Sequence, residues 1–551
     1  MNIKRLMSFM LASMMLASFY TSANNVSVNE AKAIANTFMK SHYSNAPGSF
    51  KAPSTADLQL VHAESSRKVV GTNVFYAFNI KGGGFVIVSG DDMAIPVLGY
   101  SDQGKLDFNN LPEGLQCLLD SYREEIEYAQ THPNEVIQPL KHSLRDAAVV
   151  VEPMTRSTWG PEYPYNTQCP VFNGKNSKVG CAGVAMAQFL YFWQFPVSSP
   201  ALPAYYASNA GDTVPALPAT SFDYDKMIQT FCYWDYSKQK TVQYEYTEEQ
   251  VYEVAKLCRY IGQMAKMNYS PAKSGITEDR KIQALKDYGY NSLAKSIKRA
   301  NYTPERWNEL LRTELDAGRP VMYAGFAVSQ NGHAWIIDGY DSDDYFHMNM
   351  GWYGYNDGWY LISSIKFVNR YGNNRFYNGV HNMILNLEPP LYCEVKADGI
   401  GGNNSLIVLG DNLYPIAERV HLHTSYRTVE MSFSLMGADN AIVAASQPVY
   451  VTRHTYDQFS DITSSLTLPA DLPEGRYDLQ FCYRTEADGP LTAVLTANGA
   501  LTVVGKFAKF NAPFNVGDVV KAIDTIITED PQPQDINVAD VVYLIDYILG
   551  R

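Results

Sequence analysis

Between Trp159 and Leu387, four helical stretches come before the β-patterned runs: Gly183 to Phe195, Glu248 to Lys266, Asp279 to Tyr288 and Pro304 to Ala317. The strands follow at Pro320 to Phe326, Ala334 to Gly339 and Tyr345 to Met350. Helices first and sheet second is an α+β order, in which the two halves can face each other across a cleft. The chain of 551 residues far exceeds the roughly 150 of one domain, so it needs more than one core.

Upstream, Val28 to Tyr43 carries Ala31, Ile34, Ala35 and Phe38 on one helical face. Val74 to Phe78 and Phe85 to Val88 flank Gly82-Gly83-Gly84 as a hairpin, and Leu115 to Ala129 reads as a helix. This unit ends in Gln138 to Pro153, which lacks a period and reads as a linker open to proteolysis. Pro389-Pro390 marks the next boundary. Beyond it, short alternating runs such as Ser405 to Leu409, Val420 to Thr424 and Arg476 to Phe481 predict a β-sandwich. At the C-terminus Asn515 to Val520 recurs as Asn537 to Val542, two Asn-capped apolar helices.

Lys4 and Arg5 precede an apolar run from Leu6 to Phe19, and Thr21-Ser22-Ala23 supplies small residues for cleavage after Ala23. This pattern predicts a signal peptide and export, to the outside, the periplasm or the cell surface. The expected layout is a signal at 1–23, an α+β unit at 24–153, a cleft-bearing unit at 154–388, a sandwich at 389–505 and a helical pair at 506–551. No later run is long and apolar enough to predict a membrane span. A net charge of -13 without a basic block argues against nucleic acid as a partner. Seven cysteines show no metal-ligand spacing, so neither a metal nor another cofactor is expected, and the odd number leaves a thiol to explain.

Cys181 supplies the reason. In Val179-Gly180-Cys181-Ala182-Gly183, small residues present it at the start of an apolar helix, whose N-terminal partial charge favours thiolate. His333, in Asn331-Gly332-His333-Ala334-Trp335, stands where the chain enters an apolar strand and can take the thiol proton. His347, between Phe346 and Met348, reads as a core histidine. Asn349, in Asn349-Met350-Gly351-Trp352, is a candidate to orient the imidazole, with Trp352 covering that bond from water. The order Cys, His, Asn, with the base about 150 residues after the nucleophile, is the papain arrangement.

The segments Val179 to Gln188, Gly332 to Gly339 and Asn349 to Gly358 resemble the streptopain family of papain-like cysteine peptidases. Gly84 to Asp92 and Pro96 to Tyr100 are similar to that family's inhibitory propeptide. The resemblance implies a papain-like catalytic domain behind an α+β propeptide, and a secreted endopeptidase made as a zymogen, with proteins or peptides as substrates and its own propeptide as inhibitor. It implies Cys181 as nucleophile, His333 as base, Trp352 stacked over the imidazole, Gly332 against substrate, and Ser274-Gly275 on the cleft wall. Asn349 stays open as the orienting group. Where the family has a Gln whose amide completes the oxyanion hole, this chain has Pro161, which offers no donor. Gln168 and Trp159 are the candidate replacements. The alternative is a weakened or inactive relative that binds rather than cleaves. The terminal pair resembles a dockerin, a docking module, but Glu529 to Asp535 has lost the calcium-ligand pattern.

Overall fold

The structure, a computed structural model, describes residues 25–45, 53–137, 148–235, 240–325, 332–367 and 381–389 of a first compact unit. Of a second, which starts at Pro390, it describes 390, 393–401, 412–424, 428–436, 441–452, 460–469, 475–487, 489–494 and 501–505. The predicted signal, the strand at Ser405 to Leu409 and the terminal repeat lie outside the described residues.

Helix α1 (Val28–Asn45) starts on a capping box, with Ser27 and Glu30 bonding each other's backbone N–H, and buries Ala31, Ala35, Phe38 and Met39. Strands β1 (Leu58–Ser65), β2 (Asn73–Ile80), β3 (Phe85–Ser89) and β4 (Val97–Ser101) form an antiparallel meander. Helix α2 (Glu113–Thr131) buries Leu115, Leu118, Leu119, Tyr122 and Ile126, a stripe at helical spacing. Strand β5 (Val149–Val151) follows.

The cleft-bearing part supplies α3 (Cys181–Trp193), α4 (Glu248–Met264), α5 (Glu278–Asp287), β6 (Lys295–Lys298), α6 (Pro304–Asp316), β7 (Val321–Gly325), β8 (His333–Asp341), β9 (Phe346–Asn349), β10 (Gly358–Tyr360) and β11 (His381–Leu385). Each helix and strand foreseen here is present to within a few residues at its ends. The sheet order was not foreseen. One antiparallel sheet runs β1-β2-β3-β4-β10-β9-β8-β7-β11-β6, with β5 on the end of β8. The junction is β4 against β10, where Tyr100 pairs with Trp359 and Gly99 with Tyr360. The N-terminal unit and the cleft-bearing unit therefore share a backbone ladder. The reason is that β4 and β10 would otherwise each be an open edge, and pairing them satisfies both rows of backbone groups.

Strand β8 is buried along its whole length, packed by α2, α3 and α6. Such a strand holds whatever its first residue presents. Val149–Val151 pairs with β8, and Thr155 donates from both its backbone N–H (2.7 Å) and its hydroxyl to the buried Asp338. Residues 149–155 are thus structurally part of the cleft-bearing half, although the sequence reading assigned them up to 153 to the preceding unit.

Among the described residues, the second unit holds antiparallel sheets of four, six and two strands and an apolar cluster that includes Ala417, Val420, Val429, Phe433, Leu479 and Phe481.

Candidate active site

Gly180 precedes α3 at φ +79°, a conformation that favours glycine, and a Cβ there would lie 2.8 Å from the Ser274 carbonyl oxygen. This turn puts Cys181 at the first helical position, where the unsatisfied N–H groups favour negative charge. His333, the first residue of β8, faces it across a cavity of about 790 Å³. The cavity is lined by Pro161, Lys178, Cys181, Ser274, Gly275 and Ile276 on one side and by Gly332, His333, Ala334 and Trp352 on the other.

The two reactive groups shift each other. Burial alone would raise the Cys181 thiol, but the charge of the nearby His333, with the Ala334 backbone, outweighs it and brings the thiol down to about 7. Burial would lower His333, yet Cys181, Glu113 and the Met350 backbone raise it to about 10. With the acid below the base, the pair rests as thiolate and imidazolium. His333 Nε2 lies 3.2 Å from the Met350 carbonyl oxygen. A carbonyl only accepts, so Nε2 carries a proton and Nδ1 is left to exchange one with the thiol.

The orienting acceptor is therefore a backbone carbonyl, and the side chain of Asn349 is engaged elsewhere. The amide of Asn349 donates to the Ser157 carbonyl (2.7 Å), while its oxygen accepts from Gln188 Nε2 (3.1 Å) and from Gly351 N–H (3.0 Å). Asn349 shapes the turn that carries Met350, and Gln188 ties that turn to the helix of Cys181. The ring stacked on His333 is Trp335, at 6.2 Å and 25°, whereas Trp352 lines the cleft and its ring meets Tyr353. This corrects the expected stack; β8 places residues 333 and 335 on the same face.

Gly332, Ser274 and Gly275 all line the cleft. Ser274 Oγ closes its own loop by bonding the backbone of Ser270. Neither proposed substitute for the missing donor reaches the cavity: Gln168 is exposed and outside the lining, and Trp159 is fully buried with its indole N–H on the Ile228 carbonyl. His347, expected as a core histidine, is only partly buried and lies 2.6 Å from the buried Asp338. His381 is buried and held neutral, pushed down to about 3 by burial and by Arg299.

The N-terminal unit reaches into this site. Glu113, at the start of α2, lies 3.8 Å from His333 Nδ1 and 3.6 Å from the Lys273 ammonium. A Cβ on Gly114 would come within 2.6 Å of His333 Cδ2, so only glycine lets the helix end pack on the ring. Sequence reasoning missed Glu113, Gly114, Gln188 and the Met350 carbonyl. Only Gln188 carried a signal, a polar residue inside an otherwise apolar helix.

Residues 159–360 match the Peptidase C10 family, and residues 23–126 match the Spi protease inhibitor. Streptopain of Streptococcus pyogenes is 27% identical over 388 residues, covering 65% of this chain and 91% of streptopain. The thiol protease/hemagglutinin PrtT of Porphyromonas gingivalis is 24% identical over 458 residues, 79% of this chain and 51% of PrtT. A solved fragment of prointerpain A from Prevotella intermedia gives a TM-score of 0.44 at 25% identity, covering 59% of this chain and 98% of the fragment. Residues 159–360 are thus similar to Peptidase C10 and residues 23–126 to a Spi protease inhibitor, and the chain is a cysteine peptidase with an inhibitor-like domain ahead of its catalytic unit.

Proposed function

We propose that this protein is an exported cysteine endopeptidase held inactive by its own N-terminal unit. The observation that carries the reading is Cys181 at a helix start, paired with His333, while Glu113 and Gly114 of the inhibitor domain lie against that same imidazole. In the released enzyme the Cys181 thiolate attacks a peptide carbonyl carbon, forming a C–S bond, and the oxygen becomes an oxyanion near the Cys181 N–H. His333 then gives its proton to the leaving amine as the C–N bond breaks. Water, deprotonated by the same Nδ1, hydrolyses the thioester and frees the thiolate. Gly332, Ser274, Gly275 and Trp352 form the walls against which the substrate lies, and Asn349 acts through the turn it shapes.

Activation cleavage falls ahead of Val149, because residues 149–155 belong to the ladder and hydrogen bonds of the catalytic unit. The C-terminal unit acts as a β-sandwich that holds the enzyme to a surface or partner. Among the described residues no helix is long and apolar enough to cross a membrane.

The test follows the precursor without its signal by intact mass, beside Cys181→Ala. The expected result is that only the Cys181 protein sheds its N-terminal unit, with the new N-terminus at or before Val149, and then cleaves casein. A second reading, a binding protein descended from a peptidase, is favoured by Pro161 and by the C-terminal modules. It takes over if both proteins stay whole and a thiol-directed inhibitor fails to label Cys181 after the N-terminal unit has been removed by added protease.

A further inference from the structure

The carbonyl that orients His333 belongs to a residue whose two peptide groups are both held. The Met350 N–H donates to Asp357 Oδ1 at 2.8 Å, and the following N–H, that of Gly351, donates to Asn349 Oδ1 at 3.0 Å. Gly351 sits at φ +64° and Gly354 at φ +74°, so the loop folds back tightly enough for Asp357 to reach Met350. We propose that Asp357 is a positioning residue for the catalytic imidazole: its carboxylate anchors the Met350 backbone, and the Met350 carbonyl in turn fixes the ring of His333. The proposal rests on the peptidase reading and adds a residue that touches neither substrate nor thiol.

The surroundings of Asp357 fit an anchor. Its carboxylate faces the Met350 N–H and the charge of His347, which is paired with Asp338, and its own carbonyl accepts from Ser101 Oγ at 2.7 Å. An anchor needs only an acceptor, so a neutral amide in its place keeps the function while a methyl group removes it. Losing the anchor lets the Met350 carbonyl drift, and a misplacement of about 1 Å costs on the order of a hundredfold in turnover. It also loosens the ion pair that keeps the Cys181 thiol low.

The experiment compares wild type, Asp357→Ala and Asp357→Asn, each at full length without the signal and after maturation. It measures kcat and KM on a peptide and the pH dependence of Cys181 alkylation by iodoacetamide. Asp357→Ala is expected to lower kcat about a hundredfold with KM changed by less than about threefold, and to move the alkylation midpoint up toward about 8.5, that of a free thiol. Asp357→Asn should stay within about tenfold of wild type in kcat with an unmoved midpoint. The proposal is overturned if Asp357→Ala keeps the wild-type midpoint, or if Asp357→Asn falls as far as Asp357→Ala. Should Asp357→Ala fail to fold, the isosteric Asp357→Asn decides alone, a hundredfold fall sinking the proposal. Wild type that alkylates at Cys181 but cleaves nothing defeats the peptidase reading instead, and the midpoints still report on Asp357.

Discussion

On the imidazole wall of the cleft, His333 is held by the Met350 carbonyl, Met350 by Asp357, and the turn by Asn349 and Gln188. On the thiol wall, Cys181 has the helix N-terminus behind it, and Pro161, where the resemblance implies a side-chain donor, lines the cleft without one. The first wall distributes its task over backbone groups and buried amides, and the second concentrates it in single donors. Orientation delegated to backbone tolerates changes of side chain, as the redirected Asn349 shows. Stabilisation of an oxyanion does not, because a missing N–H is replaced only by another group at the same spot.

Crowding the imidazole wall should have the largest effect. Gly114→Leu forces a side chain into the space of the His333 ring, costing about 3 kcal/mol, the upper end for overpacking. In the precursor this opens the inhibitor helix on the order of a hundredfold more often, read as faster self-processing; unchanged processing would mean that the contact is incidental. Repairing the thiol wall comes next. Pro161→Gln should raise kcat of the mature enzyme roughly tenfold to a hundredfold, with KM little changed, whereas no gain would mean that another donor already completes the oxyanion site.

Charge offers a milder probe. Alkylation of Cys181 in the precursor should rise through about pH 7, the value to which His333 brings the thiol. Glu113→Gln should move that midpoint further down, since the Glu113 carboxylate opposes the thiolate. The smallest effect concerns inhibitor docking. Glu113 is held below the usual carboxylate range, first by the His333 imidazole 3.8 Å away. A carboxyl lowered in the docked state stabilises docking above its free pKa, and that contribution disappears as pH falls through the lowered one. Acid therefore speeds release. Glu113 is 42% exposed, so the pair contributes about 1 kcal/mol or less. Glu113→Gln should accelerate processing at neutral pH by at most about fivefold and flatten its acid dependence.

Much of the first unit was legible because its signals are local. The apolar stripes of α1 and α2, the glycines between β2 and β3 and the turn before Cys181 each act within a few residues. The strand around His347 was legible from its apolar neighbours. Asn349 and Trp352 were misplaced in detail because their roles depend on where a loop points its carbonyls and which face of a strand packs on a ring. Gln168 was proposed from nearness in sequence, which says nothing about which side of a turn faces the cleft.

The sequence by itself determined the chemistry and the order of elements. A thiol at a helix start and a histidine at a strand start are properties of residues and their immediate neighbours. Only the tertiary structure decided that the inhibitor-like domain and the cleft-bearing unit share one sheet, that Gly114 packs on the His333 ring, and that the Met350 carbonyl lies 3.2 Å from that ring. Those outcomes depend on pairings between segments far apart in the chain, and such pairings are settled by which open edges and buried polar groups find partners when the whole unit closes.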